Sequence, residues 1–307
     1  MKLIIKKGVS ILFNEMKVLE SSEKNVWKYI FEKEDSVAEA VLYKYESFYK
    51  RTAICCSTMS GCPVGCVFCG TGKKFIKNLN SQEIVQQVTE ILKDKNIEDI
   101  GNNGERFQIM LMSMGEPMLN WSETEKAIIK LNNLYPNAEL LISTIGIDDD
   151  EVFSKIIELS KQIEKIGLQF SIHKSCDIER DQLIPFKNKM SLYKLRDAAI
   201  MWWKETGRKP YLNYCVDGVN NKHNDFKKLY MLFSPLVCNF TFSVVCSAKE
   251  TMKDAGFKNL EKINAFTQYF INVGYNTRIF NPAGQDDIGG GCGQLWYVQE
   301  WMRKNKK

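Results

Sequence analysis

The chain alternates between two kinds of pattern, and that alternation limits its fold more than any other feature. Short β-rich runs occupy residues 52–56, 107–114, 139–143, 168–172, 211–216 and 239–245, and a last one lies at 277–280. Helical periodicity fills the gaps. Ile84, Val85, Val88, Ile91 and Leu92 share one helical face, as do Leu260, Ile263, Phe266, Phe270 and Ile271, with Gly274 as a C-terminal stop. Ser122 and Glu125 have capping-box spacing ahead of another helix. Strands separated by helices cannot pair through tight hairpins. They form βαβ units and a parallel sheet, which makes the chain α/β. About six units fall short of a closed eightfold barrel and fit a partial (β/α)6, TIM-like one, whose chemistry gathers at the C-terminal ends of its strands. Residues 1–50 carry short β-like runs instead. They are expected to form a β-containing N-terminal extension packed on a barrel of residues 51–307.

One segment carries recognisable chemistry. Gly61-Cys62-Pro63-Val64-Gly65-Cys66-Val67-Phe68-Cys69-Gly70 follows the first strand of the barrel pattern with C-x3-C-x2-C spacing. Three thiolates on a tight loop can ligate three irons of a [4Fe–4S] cube and leave the fourth open. S-adenosylmethionine (SAM) can chelate that iron and be cleaved by an electron from the cluster, giving a 5′-deoxyadenosyl radical. The protein then supplies placement and exclusion of solvent. A zinc knuckle would need a fourth protein ligand, and no His or further Cys stands at knuckle spacing downstream; the histidines are His173 and His223 alone.

The remaining composition is that of an ordinary soluble protein. No stretch approaches the roughly 20 apolar residues of a membrane span, and the opening apolar run is too short for a secretory signal, so a cytoplasmic location with no membrane partner is expected. Ten cysteines in such a chain read as metal-binding or catalytic groups and not as a disulfide framework. The net charge of +5 does not by itself mark a nucleic-acid binder.

With these motifs in view, the chain resembles the RlmN/Cfr family of radical-SAM RNA adenosine methylases from about residue 38 onward. Cys55-Cys56-Ser57-Thr58-Met59-Ser60-Gly61-Cys62 is similar to the family's Cys-x6-Cys lead-in. Met114-Gly115-Glu116-Pro117 with Asn120 is similar to Gly-Met-Gly-Glu-Pro-x-x-Asn, with Ser113 in place of the first glycine. Ser143-Thr144-Ile145-Gly146, Ser171-Ile172-His173, Arg180-Asp181-Gln182-Leu183-Ile184-Pro185 and Asp217-Gly218-Val219-Asn220 follow in the family's order. Asp286-Asp287-Ile288-Gly289-Gly290-Gly291-Cys292-Gly293 resembles its C-terminal signature.

The resemblance implies roles. Cys62, Cys66 and Cys69 hold the cluster, and Gly115, Glu116, Ser143, Ser171, Ile172 and His173 bind SAM. Adenine C2 and C8 are not nucleophilic, so methylation there takes two SAM molecules. One methylates Cys292. The other generates the radical that removes hydrogen from the S-methyl group, and the methylene radical adds to the base. Cys55 then attacks the Cys292 sulfur and releases the product. Glu39 resembles the family's proposed acid/base. Partners implied are an RNA, ribosomal or transfer, and a flavodoxin- or ferredoxin-type electron donor. Only about 50 residues precede the cluster strand, which implies a compact member without the family's N-terminal helical domain. Phe240-Thr241-Phe242-Ser243-Val244-Val245 also lacks the family's Asn-Pro. The same chemistry on a protein side chain or small molecule is the alternative, followed by a non-enzymatic iron–sulfur protein.

Overall fold

Strands β1 (Lys2–Lys7), β2 (Glu15–Glu20), β3 (Val26–Glu32) and β4 (Val37–Tyr45) make an antiparallel meander, and β4 pairs antiparallel with β5 (Arg51–Cys56). A separate hairpin, β6 (Met59–Cys62) with β7 (Lys74–Asn78), carries the cysteine loop. From β5 the main sheet becomes parallel and runs on through β8 (Phe107–Leu111), β9 (Glu139–Thr144), β10 (Ile166–Ser171), β11 (Tyr211–Val216), β12 (Asn239–Val244) and β13 (Thr277–Phe280). The computed structural model describes residues 2–7, 12–72, 74–244, 260–280, 288–291, 293–295 and 297–305. Among them the extension and the barrel strands form one continuous sheet of 11 strands.

The expected partial barrel is present, and β13 adds a seventh parallel strand to the six units. The helices pack on its outer face. The helix Ser81–Lys95 starts on a capping box between Asn80 and Glu83 and buries Ile84, Val88, Ile91 and Leu92. The helix Trp121–Leu134 differs from expectation. The 3-10 turn Pro117–Asn120 runs straight into it, so the helix starts before Ser122, which therefore caps nothing. Asn120 precedes it and uses its side chain elsewhere, donating to the carbonyls of Thr58 and Leu79 at 2.7 and 2.8 Å.

A second apolar cluster lies on the concave side. Val26, Ile30, Val41, Tyr43, Ala53 and Cys55 pack against Ile288, Leu295, Tyr297 and Val298 of the C-terminal segment, which ends in the helix Tyr297–Asn305. The rings of Tyr43 on β4 and Phe280 on β13 meet edge-on at 5.7 Å, so the curled sheet brings its last parallel strand back to the extension. No helix among the described residues is long and apolar enough to cross a membrane.

Candidate active site

The cysteine loop is shaped by backbone constraints. Gly61 takes φ +78°, and a Cβ there would fall 1.6 Å from the Lys74 carbonyl oxygen, so only glycine fits where β6 crosses β7. Cys66 and Cys69 line a cavity of about 530 Å3 on the concave side of the sheet. Cys62 sits at the base of the loop, where the amides of Val64 and Gly115 face its sulfur, and burial pushes its thiol up to about 12. Iron bound there would displace that proton. Among the described residues no three His, Cys, Asp or Glu side chains converge as ligands of a single ion. Three thiols on one loop, with no fourth protein ligand at knuckle spacing, suit a [4Fe–4S] cube with one open iron.

Opposite the loop, strand ends supply polar groups to the same cavity. Gly115 follows β8 with φ +105°, and a Cβ there would sit 2.7 Å from Thr58 Oγ1 and 2.8 Å from the Met59 side chain. The backbone thus approaches the cluster loop where no side chain fits. Glu116 is buried beside it. Its Oε2 accepts from Ile145 N at 2.9 Å and its Oε1 from Met118 N at 3.1 Å, while burial pushes the carboxyl up to about 7. Ser143 Oγ accepts from Gln169 Nε2 at 3.1 Å. Ser171 ends β10, and His173 follows at φ +60°. His173 Nδ1 accepts from Cys215 N at 3.2 Å, which leaves the ring proton on Nε2. Its ring meets Phe68 of the cysteine loop edge-on at 5.3 Å. Burial, with the charges of Arg180 and Lys174, pushes its pKa down to about 3, so the imidazole is neutral.

Gly115, Glu116, Ser143, Ser171 and His173 all line the cavity. Ile172 does not. It is fully buried in the core on the other face of the sheet, because neighbours along a strand point to opposite sides. Between Ser171 and His173, it can meet a ligand in the cavity only through its backbone. The motif Arg180-Asp181-Gln182-Leu183 acts indirectly: buried Arg180 donates to the carbonyls of Ile145, Ser171 and Met190, tying two strand ends together. Four wall residues went unnoticed in the sequence, namely Gln169, Asn213, Thr241 and Ser243. Their signal was alternation: in Phe240-Thr241-Phe242-Ser243 the polar residues share one face of a strand.

Cys55 also lines the cavity, directly opposite Val41 in the β4–β5 pairing. Cys56 points the other way into the core, where burial pushes its thiol up to about 12. Cys292 lies outside the described residues. Its neighbours Gly290, Gly291, Gly293 and Leu295 line the cavity and are tied down on two sides. Gly70 N donates to Gly293 O at 2.6 Å, and Thr71 Oγ1 donates to Leu295 O at 2.7 Å, joining the segment to the cysteine loop. Tyr43 Oη donates to Gly290 O, joining it to β4.

Glu39 is placed differently from expectation. It does not line the cavity. Its carboxylate is fully buried under the C-terminal segment, paired with Lys28 Nζ at 2.7 Å and accepting from Tyr297 N at 3.0 Å. Lys28 is equally buried. A carboxylate held this way fastens the C-terminal segment to the extension.

The comparisons with known proteins follow this geometry. Residues 56–229 match the Radical SAM superfamily. The chain is 30% identical over 302 residues to a probable dual-specificity RNA methyltransferase RlmN of Thermotoga petrophila, an alignment spanning 95% of this chain and 82% of that protein. The chain belongs to the RlmN family of radical SAM enzymes. A relative of the same description from Finegoldia magna is 30% identical over 91% of this chain and 77% of its own length. The crystal structure of a radical SAM methyltransferase from Sphaerobacter thermophilus superposes with a TM-score of 0.76 at 26% identity, covering 95% of this chain and 80% of that one. As a radical SAM enzyme of the RlmN family, the chain uses a [4Fe–4S] cluster and SAM. Cys62, Cys66 and Cys69 suit the first, and Gly115, Glu116, Ser143, Ser171 and His173 suit the second.

Proposed function

We propose that this chain methylates C2 or C8 of an adenosine in RNA, ribosomal or transfer, through a methyl group carried on Cys292. The observation that carries this reading is the composition of one wall of the cavity. Cys55 shares that space with Cys66 and Cys69 and with Gly291 and Gly293, the residues on either side of Cys292. When bound, cluster and SAM supply a hydrogen-abstracting radical, with a flavodoxin- or ferredoxin-type protein as electron source. The chain's own residues do the rest. The Cys292 thiolate accepts a methyl group from a first SAM and, after that group loses one hydrogen atom, bonds to the base through that carbon; the adduct then gives its unpaired electron back to the one-electron carrier and the attacked ring carbon gives up its proton, which restores the aromatic base. Cys55 as thiolate then attacks the Cys292 sulfur. The S–S bond forms, the carbon–sulfur bond breaks, and its electron pair stays with the methylene carbon, which takes a proton to become the methyl group. An external thiol reduces the disulfide before the next turnover.

Neutral His173, with its proton on Nε2, is suited to donate a hydrogen bond into the cavity. Glu116 is suited to receive the cofactor's ammonium group, whose charge would draw its raised pKa back down. The test is Cys55→Ala, purified anaerobically after expression with RNA present. It is expected to retain a covalent RNA adduct on the peptide containing Cys292, seen by mass spectrometry after nuclease digestion. A Cys55→Ala protein that releases methyladenosine as wild type does would overturn the proposal.

A further inference from the structure

The cavity has a second end. At the N-terminal ends of the parallel strands, away from the cysteine loop, its wall carries Arg51 of β5, Arg106 just before β8, and Arg278 of β13. These residues are far apart in the chain and meet only because the sheet curls. Their counter-charge is Glu139, at the start of β9. Arg106 donates to both Glu139 oxygens at 3.0 to 3.3 Å, and Gln108 Nε2 donates to Oε2 at 2.6 Å, so that carboxylate is fully used. Gln108 Oε1 accepts from Arg51 Nη2 at 3.3 Å, which gives Arg51 a neutral partner.

Among the described residues, two guanidinium groups have no carboxylate partner. Arg51 lies 4.2 Å from the ring centre of Tyr45, and its Nε is buried without an acceptor. Arg278 lies 3.6 Å over the ring of Tyr211 and has no hydrogen-bonded or ion-paired acceptor among the described residues. Aromatic faces orient guanidinium planes without consuming their donors. Among the described residues, three arginines against one glutamate give this mouth a net positive charge. The outer rim does not cancel it, since Lys44 and Lys50 are matched there by Glu46 and Glu105. Burial, and then the charges of Arg106 and Arg278, hold Arg51 below the ordinary guanidinium range, which shows that the three groups feel one another. A concave wall lined by one sign of charge concentrates counter-ions.

We propose that this mouth is an oxyanion site, in which Arg51 and Arg278 grip a phosphoryl group while Arg106, locked to Glu139, fixes the geometry between them. The fit is to phosphate because planar guanidinium forks match its oxygens in pairs, and because the donors left over are guanidinium N–H groups with no acceptor among them. The phosphoryl group can come from a free anion or from the end of an RNA strand. This site stands apart from the cysteine chemistry, so it can be right where the methylation proposal is wrong, and the reverse.

The test is isothermal titration of the full chain, cluster loaded, with inorganic pyrophosphate at constant ionic strength. Saturable binding is expected, weakened about tenfold by Arg51→Gln and by Arg278→Gln, as expected for one charge-assisted hydrogen bond each. Arg278→Lys, which keeps the charge and loses the fork, should fall between. Circular dichroism checks that each variant is folded; Arg278 is an exposed residue whose replacement disturbs no core packing. Competition by a 5′-phosphorylated oligoribonucleotide, but not by its unphosphorylated twin, assigns the site to RNA ends. Equal indifference to both assigns it to a free anion. Absence of saturable pyrophosphate binding, or binding unchanged in both glutamine variants, would overturn the proposal.

Discussion

The buried pair of Lys28 and Glu39 gives the sharpest quantitative expectation. Their side chains retain 1% and 0% of their exposure to solvent, and their charged atoms are 2.7 Å apart. Glu39 also accepts from the first amide of the C-terminal helix, and Lys28 Nζ lies 3.5 Å from the Gln294 carbonyl. Removing one partner leaves the other as an uncompensated buried charge. Lys28→Met and Glu39→Gln are each expected to cost about 3–5 kcal/mol in anaerobic urea unfolding. The double variant removes both charges and both desolvation penalties, and the new amide oxygen at position 39 can still accept from Tyr297 N. It should unfold within about 1 kcal/mol of wild type, a coupling of about 5 kcal/mol or more.

Two further readouts separate fastening from chemistry. Amide exchange in the peptide covering 288–299 should speed up in each single variant and return towards wild type in the double. Formation of methylated Cys292 should follow the same pattern. If Glu39 instead moved a proton, the double variant would be stable and inactive. If each single variant cost below about 1 kcal/mol, or the double were no more stable than the worse single, the reasoning from burial would be refuted.

Two more expectations follow from the site. Gly115→Ala puts a Cβ against Thr58 and Met59 at φ +105°, and should lower stability by about 1–3 kcal/mol and abolish measurable SAM binding by equilibrium dialysis; Gly207→Ala, at φ +70° with open space around it, should leave SAM binding intact. His173 has its folded pKa depressed from 6.5 to about 3, so its contribution to stability is present above about pH 6.5 and is lost as pH falls towards 3. Between pH 7.5 and 5.5 this amounts to about 1.4 kcal/mol, measured as the difference in pH dependence between wild type and His173→Gln in urea unfolding.

What could be read from the sequence was what neighbouring residues fix among themselves. The cysteine triplet lies within one short loop, Cys62 to Cys69, so its geometry is nearly covalent, and the parallel sheet follows from strand and helix periods that each span one element. What could not be read was a side chain's direction or a partner distant in sequence. Ser171 and His173 reach the cavity while Ile172 between them does not, because a strand alternates faces and a three-residue motif ignores that. The pairing of Glu39 with Lys28, on the neighbouring strand β3, could not be read from the sequence around either residue. The arginines of the far mouth belong to residues 51, 106 and 278, and no local pattern joins them.

The same point explains why the extension and the C-terminal segment belong to the active site and not merely beside it. Beside the seven parallel strands, one side of the cavity is walled by other parts of the chain. Here that wall is β4, joined to β13 through Tyr43 and Phe280, with the segment around Gly290–Leu295 laid across it. That segment is held on its other side by Gly70 and Thr71 of the cysteine loop. The C-terminal segment that walls this side of the cavity is therefore fastened to the cysteine loop at Gly293 and Leu295. The described residues on either side of Cys292, Gly291 and Gly293, thus line the cavity together with Cys66 and Cys69.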